Sequence, residues 1–304
     1  MEIKYKYSKL IANPRIHSDD LSLNSEAVDF LKTSSKKNWS QLSANPEAIH
    51  LLMKNIERID WFNLSGNPNA IELLKAKDNF SKINWFKLSG NPNPNAIQLL
   101  KDSINNKDID WWSILSGNPG ALPLLEQYNN KIDWRMLSGN PNAIPLLKSN
   151  FRKINWRMLS GNPNGIQLLE ANFHKIDWRM LSGNPNAIQL LEANFHKINW
   201  EELAHNPNAI PLLEKHFNDI HINWSGLSQN PNALHLLAKN INDIDWVQLA
   251  QNPGLFELDY LAMSKDRTRI IEQELISKAL HPSKVEKWLK HYLANGGILD
   301  DFEF

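Results

Sequence analysis

Between Lys131 and Trp200 the chain writes nearly the same 22-residue segment three times: KIDWRMLSGNPNAIPLLKSNFR, KINWRMLSGNPNGIQLLEANFH and KIDWRMLSGNPNAIQLLEANFH. A fixed period of this length means that each unit is one supersecondary element, which buries its apolar face only against its neighbours. The fold is therefore expected to be a stack of repeats rather than two globular domains.

Alignment on Asn-Pro places the asparagine at 13, 45, 67, 91, 118, 140, 162, 184, 206, 230 and 252, and Asn24 opens one further unit with Ser25 in the proline column. This gives about twelve units, degenerate at both ends. A tryptophan column runs through Trp39, Trp61, Trp85, Trp111 or Trp112, Trp134, Trp156, Trp178, Trp200, Trp224 and Trp246, with Tyr7 expected as its first member.

Ala143, Ile144, Leu147 and Phe151 recur at helical spacing, which predicts one helix after each Asn-Pro. The prolines at 123, 145 and 211 would break a helix starting at the Asn-Pro itself, so a turn over Asn-Pro-Asn-Ala with a later helix start is expected. The residue before each tryptophan is Asp or Asn, from Asn38 and Asp60 to Asp110 and Asp245. That restriction marks a side chain accepting from the first free amides of a second, short helix. Glycines 66, 90, 117, 139, 161 and 183 follow that helix, where a left-handed C-terminal cap would stand. Two-residue insertions fall before Trp85, before Trp111, before Trp224 and at Asn93-Pro94, all in the expected loops.

The expected fold class is all-α: an α-solenoid of about twelve helix-turn-helix repeats of 22 residues with helical caps. The expected divisions are degenerate N-terminal repeats or cap over 1–38, a repeat solenoid over 39–252, and a C-terminal helical cap with an acidic tail over 253–304. Helices stacked about 8–10 Å apart make this a curved rod of roughly 100 Å. Three valines and two threonines in the whole chain argue against a β-solenoid.

Lysine plus arginine equals aspartate plus glutamate at 33 each, which removes a whole-chain electrostatic case for nucleic acid or an anionic membrane. There are no cysteines, so disulfides and thiolate metal sites are excluded. No signal-peptide pattern and no long apolar run is present, and a soluble intracellular protein without membrane attachment is expected.

The unit I-[DN]-W-x-x-L-S-x-N-P-N-A-I-x-L-L-E resembles repeats of uncharacterised proteins of giant nucleocytoplasmic large DNA viruses, from about Ser22 onward. The segment EELISKALHPSKVEKWLKHYLANGG is similar to the ending common in those proteins. The resemblance implies a viral protein of the infected host's cytoplasm or of the virion, and carries no catalytic or binding residues with it.

Trp61, Trp85, Trp134, Trp156, Trp178, Trp200, Trp224 and Trp246 are expected to form a dry core spine, in preference to base-stacking platforms. The two positions after each tryptophan vary while the framework does not: Phe62-Asn63, Phe86-Lys87, Arg135, Arg157, Arg179 and Glu201-Glu202. Varied exposed residues on a fixed scaffold make binding surfaces. Between 131 and 200 there are nine Lys or Arg against four Asp or Glu, a basic stripe able to hold phosphates or an acidic protein surface. No catalytic grouping, metal site or cofactor motif stands out. The expectation is a non-enzymatic scaffold binding a protein partner, with nucleic-acid or phosphate binding through residues 131–200 as the alternative.

Overall fold

The computed structural model describes residues 5–7, 10, 13–103, 111–217 and 221–258, together with 268, 273, 286–287, 290–291 and 294–295. The chain divides into two compact units, one of residues 8–255 and one joining 1–7 to 256–304. The larger unit holds the repeats from Asn13 to Asn252.

In the repeat unit, sequence and local structure agree closely. Asn140 accepts from the Asn142 amide, Pro141–Ala143 form one 3-10 turn, and the α-helix runs over Ile144–Ser149 with Pro145 in its first turn. Proline is tolerated there because a first-turn N–H has no intrahelical partner to lose. A second 3-10 turn, Phe151–Lys153, leads to the Trp helix Trp156–Ser160. Its cap is Asn155, whose side chain accepts from the Met158 amide at 3.0 Å. The same bond is made by Asp60, Asn84, Asp177, Asn199 and Asp245. At the insertion, Trp112 begins the helix and Trp111 takes the capping position without a side-chain bond, so Asp110, which lies outside the described residues, is not the residue preceding it.

Repeats are joined by a second use of the asparagine before proline. Asn45 Nδ2 donates to the Ser22 and Asn24 carbonyls of the preceding repeat, both at 3.0 Å. The pattern recurs at Asn67, Asn91, Asn118, Asn140, Asn162, Asn184, Asn206, Asn230 and Asn252. Each of these side chains is buried, where an unpaired amide would be costly. Next to it the Ser138 hydroxyl donates to the Trp134 carbonyl and accepts from the Asn155 amide of the following repeat, and Ser43, Ser65, Ser160 and Ser182 do the same for theirs. Exposed asparagines such as Asn142 and Asn164 add a further amide bond to the previous proline carbonyl.

The amide chain has no ends. Asn24 Nδ2 donates to the Ala250 and Asn252 carbonyls at 3.1 and 2.8 Å, as Asn45 does to Ser22 and Asn24. The last repeat thus stands where a repeat preceding Asn24 would stand. Eleven asparagines, from 24 to 252, make one closed circuit. The helical solenoid expected from the sequence is what the repeats form, and only the open rod is corrected: within residues 8–255 the apolar end of the last repeat is covered by the first. Asn13 makes the same local turn, accepting from Arg15 N at 3.1 Å, but among the described bonds its side chain takes no place in the circuit. Most successive Trp helices pack directly on one another, whereas the Ile-Leu-Leu helices are farther apart, so the Trp helices line the narrower side of the ring.

The core within each unit is aliphatic. Leu137 and Leu159 on the Trp helices, Leu147 and Leu169 on the following helices, and Ala143 are all 0% exposed. The glycines after the Trp helices do not adopt the left-handed conformation expected of them: Gly139 and Gly161 have φ near −83° and −82°. At Gly139 and Gly161 the requirement is space. A Cβ on Gly139 would lie 3.3 Å from the Met158 Cε of the next repeat, and one on Gly161 3.2 Å from Met180. Where His205 replaces glycine, Gly226 replaces the methionine opposite, and a Cβ there would meet the His205 ring at 2.6 Å.

In the other unit, strand β1 (Tyr5–Tyr7) pairs antiparallel with β2 (Phe256–Leu258). Tyr7, expected to open the tryptophan column, instead faces Phe256 across this ladder; the true column position before Asn24 is Ser18. Helical turns are described at 286–287, 290–291 and 294. The His281-Pro282 boundary, Gly296-Gly297 and the acidic tail lie outside the described residues.

Candidate interaction surface

The tryptophans are not the dry spine expected of them. Trp61, Trp85, Trp134, Trp156, Trp178, Trp200, Trp224 and Trp246 are each half-buried, flanking the leucine core rather than filling it. An indole at the first helical position is too bulky for the narrow space beside the asparagine circuit, which leucine, alanine and serine already fill. One ring face or edge is held by an aromatic of its own repeat: Phe151 meets Trp156, Phe173 meets Trp178 and Phe195 meets Trp200 edge-on at 5.3–5.4 Å. Another face is covered by a cation from the following repeat. Lys82 lies 4.5 Å from the Trp61 centroid, Lys153 4.4 Å from Trp134 and Lys197 4.7 Å from Trp178, with Arg58 at 5.6 Å from Trp39. Such pairs contribute about 0.5–1 kcal/mol each at exposed sites. At the closure Arg15, in the same register, lies 5.7 Å from the Trp246 centroid. The lysine three residues before Trp39, Trp85, Trp134, Trp156, Trp178 and Trp200, and the phenylalanine five before Trp85, Trp156, Trp178 and Trp200, were the sequence signal for this clasp.

The positions after the tryptophans form the exposed row that the sequence pointed to. Phe62 and Phe86 are 48% and 45% exposed, and Arg135, Arg157, Arg179 and Glu201 are exposed as well. Asn63, Lys87 and Glu202, one position further on, are half-buried because they lean over the end of the preceding repeat's Trp helix. The structure brings neighbours in this row together across repeats. Lys87 Nζ lies 4.8 Å from the Phe62 ring, Ser40 donates to Asp60 at 2.6 Å and Ser113 to Asp133 at 2.7 Å. Arg179 reaches Glu202 at 2.7–2.8 Å, and Arg157 stands 4.0 Å from Asp177.

Charge in the row is thus partly neutralised from within. Hydrogen bonding to Glu202 raises the pKa of the Arg179 guanidinium further. Burial works to raise the Asp60 and Asp133 carboxyls, yet hydrogen bonds from Ser40 and Ser113, the backbone amides and, for Asp60, the Asn63 side chain, with the Arg135 charge beside Asp133, outweigh it and hold both below the ordinary value. The basic stripe of 131–200 is accordingly no uninterrupted row of free cations, and the tryptophan faces taken by lysines and aromatics are not available for base stacking. Among the described residues no group of three or more His, Asp or Glu is placed to hold a metal ion, and no helix is long and apolar enough to cross a membrane.

No known family model, curated protein or solved structure matches the chain.

Proposed function

We propose that the closed ring is a non-enzymatic platform that binds a protein partner through the row of residues following the tryptophans. The observation that carries this reading is the contrast within one short helix. Its capping Asp or Asn, leucine and serine recur around the ring, while the position after the tryptophan is Ser40, Phe62, Phe86, Arg135, Arg157, Arg179, Glu201 or Val247, all exposed, or the half-buried Ser113 and Ser225. A framework held by buried hydrogen bonds lets that position vary without cost to the fold, which is how repeat proteins make recognition surfaces. Phe62 and Phe86 are large apolar side chains kept half in water in adjacent repeats, a feature of binding sites rather than of solvated faces. The resemblance of the repeat to giant-virus proteins would place that partner in an infected host cell or a virion.

Serine already occupies this position at 40, 113 and 225, so replacing Phe62, Phe86, Arg157 and Glu201 together by serine should leave the fold intact. Affinity capture from infected cells, quantified by mass spectrometry, is expected to retain a partner on the native chain and lose it on the flattened variant. Identical capture by both would refute the platform.

A further inference from the structure

Resting on the platform reading, we infer that the turn Lys148–Lys153, together with Arg135 on the Trp helix that Lys153 clasps, is a recognition site for the carboxylates of an acidic peptide segment. An open cleft of about 340 Å³ is lined by Lys148, Ser149, Asn150, Phe151, Arg152 and Lys153. It holds three cations and one exposed aromatic, and no carboxylate. The two following repeats carry Glu170 and Glu192 where this one has Lys148, and His174 and His196 where it has Arg152. The charge of the cleft is therefore particular to this repeat and is not a copy of its neighbours.

The row beside it shows which ligand belongs there. Ser40, Ser113, Arg157 and Arg179 each face a carboxylate supplied by the next repeat, from Asp60, Asp133, Asp177 and Glu202. Arg135 has none. Asn155 stands where Asp177 faces Arg157, and Met158 stands where Glu202 meets Arg179. Lys153, which lines the cleft, lies over the ring of Trp134, the residue preceding Arg135 in the chain. A guanidinium that forms no salt bridge among the described residues presents a planar fork suited to a further carboxylate. Repeats spaced about 8–10 Å apart match every third residue of an extended peptide, at about 3.3 Å per residue. A single-stranded nucleic acid fits less well, because Lys153 and Lys197 already cover Trp134 and Trp178 and remove the stacking surface on which such binding relies.

The test uses the full chain and a fluorescein-labelled extended peptide with Glu at every third position, beside the same peptide carrying Gln and a labelled oligouridylate. The site is removed by Arg135→Ser, Lys148→Glu and Arg152→His, residues the chain itself holds at Ser113, Glu170 and His174, so folding should survive. Anisotropy should show the Glu peptide binding, weakening with added salt, and losing affinity by about tenfold or more in the triple variant. The Gln peptide should not bind. Equal binding of the Gln peptide, undiminished affinity in the triple variant, or oligouridylate binding more tightly at the same residues would each overturn the assignment. If the Glu peptide fails while the serine-flattened row still distinguishes its partner, only this site falls; if both fail, the platform falls with it.

Discussion

The junction that closes the ring and the junctions inside it share one set of bonds and differ in another. Between the repeats of Asn140 and Asn162, the amide pair is joined by the Ser138 hydroxyl bond to Asn155 and by the clasp of Lys153 on Trp134. At the closure the amide pair from Asn24 is complete. There Ala250 replaces the serine, Ser18 replaces the tryptophan, and Arg15 lies farther from Trp246 than Lys153 does from Trp134. The Trp246 Nε1 is buried without a hydrogen-bond partner. The asparagine circuit is therefore the part of the design kept at every junction, whereas the serine bond is absent at the closure and at interior Ala204, and the aromatic clasp is weaker at the closure.

The largest effect should come from cutting that circuit. Asn140→Ala removes two donated bonds and the cap on the Asn142 amide, leaving buried groups unpaired, and is expected to cost roughly 3 kcal/mol in denaturant unfolding. Asn24→Ala should cost nearly as much, since it removes the equivalent bonds to Ala250, Asn252 and the Glu26 amide. A negligible effect at Asn24 beside a large one at Asn140 would mean that the closing bonds add no stability.

Next in size is the exchanged pair in the ninth and tenth units of the circuit. Gly226→Met drives a side chain into the His205 ring and should destabilise by about 1–3 kcal/mol, with much of that recovered when His205→Gly is added. Failure of the second change to rescue the first would show that the glycine serves the backbone and not the neighbouring repeat. Smaller again is the clasp: Lys153→Gln should cost about 0.5–1 kcal/mol, and Arg15→Gln less, because its longer approach to Trp246 makes a weaker contact.

The smallest effect is a pH dependence confined to interior junctions. Asp60 and Asp133 have depressed pKa values in the fold, so their contribution is present above the unfolded carboxylate pKa, near about 3.9, and is lost as pH falls through the lower folded value. Melting temperatures of the Asp60→Asn, Asp133→Asn variant should fall less between neutral pH and pH about 3 than those of the native chain. The closing junction has His17 in the acidic cap position, so this carboxylate contribution is absent there.

Much of the repeat was legible from the residues. The restriction to Asp or Asn before tryptophan fixed the Trp-helix caps, and the prolines at 123, 145 and 211 forced the later helix start that is observed at Leu122, Ile144 and Ile210. The varied row after the tryptophans was recognised as exposed. Closure was not legible, because it depends on each junction turning the chain by about one eleventh of a circle, and that angle is set by packing distances between units. The buried role of the asparagines was hidden behind their turn chemistry, although Asn24, which keeps the amide without the proline, was a clue that the side chain matters in itself. The tryptophans misled because large aromatics are usually sought inside; the lysine and phenylalanine that recur before Trp85, Trp156, Trp178 and Trp200 pointed to a rim.

The chain contains no cysteine, so closure can be measured directly with paired spin labels at introduced cysteines. Labels at Asp19 and Val247, the exposed row positions of the first and last repeats, are compared with labels at Arg157 and Arg179 in adjacent repeats. A closed ring predicts the same short separation for both pairs, close to one repeat spacing of about 10 Å between the backbones. A distance between Asp19 and Val247 several times that of the adjacent pair would show an open solenoid and contradict the account.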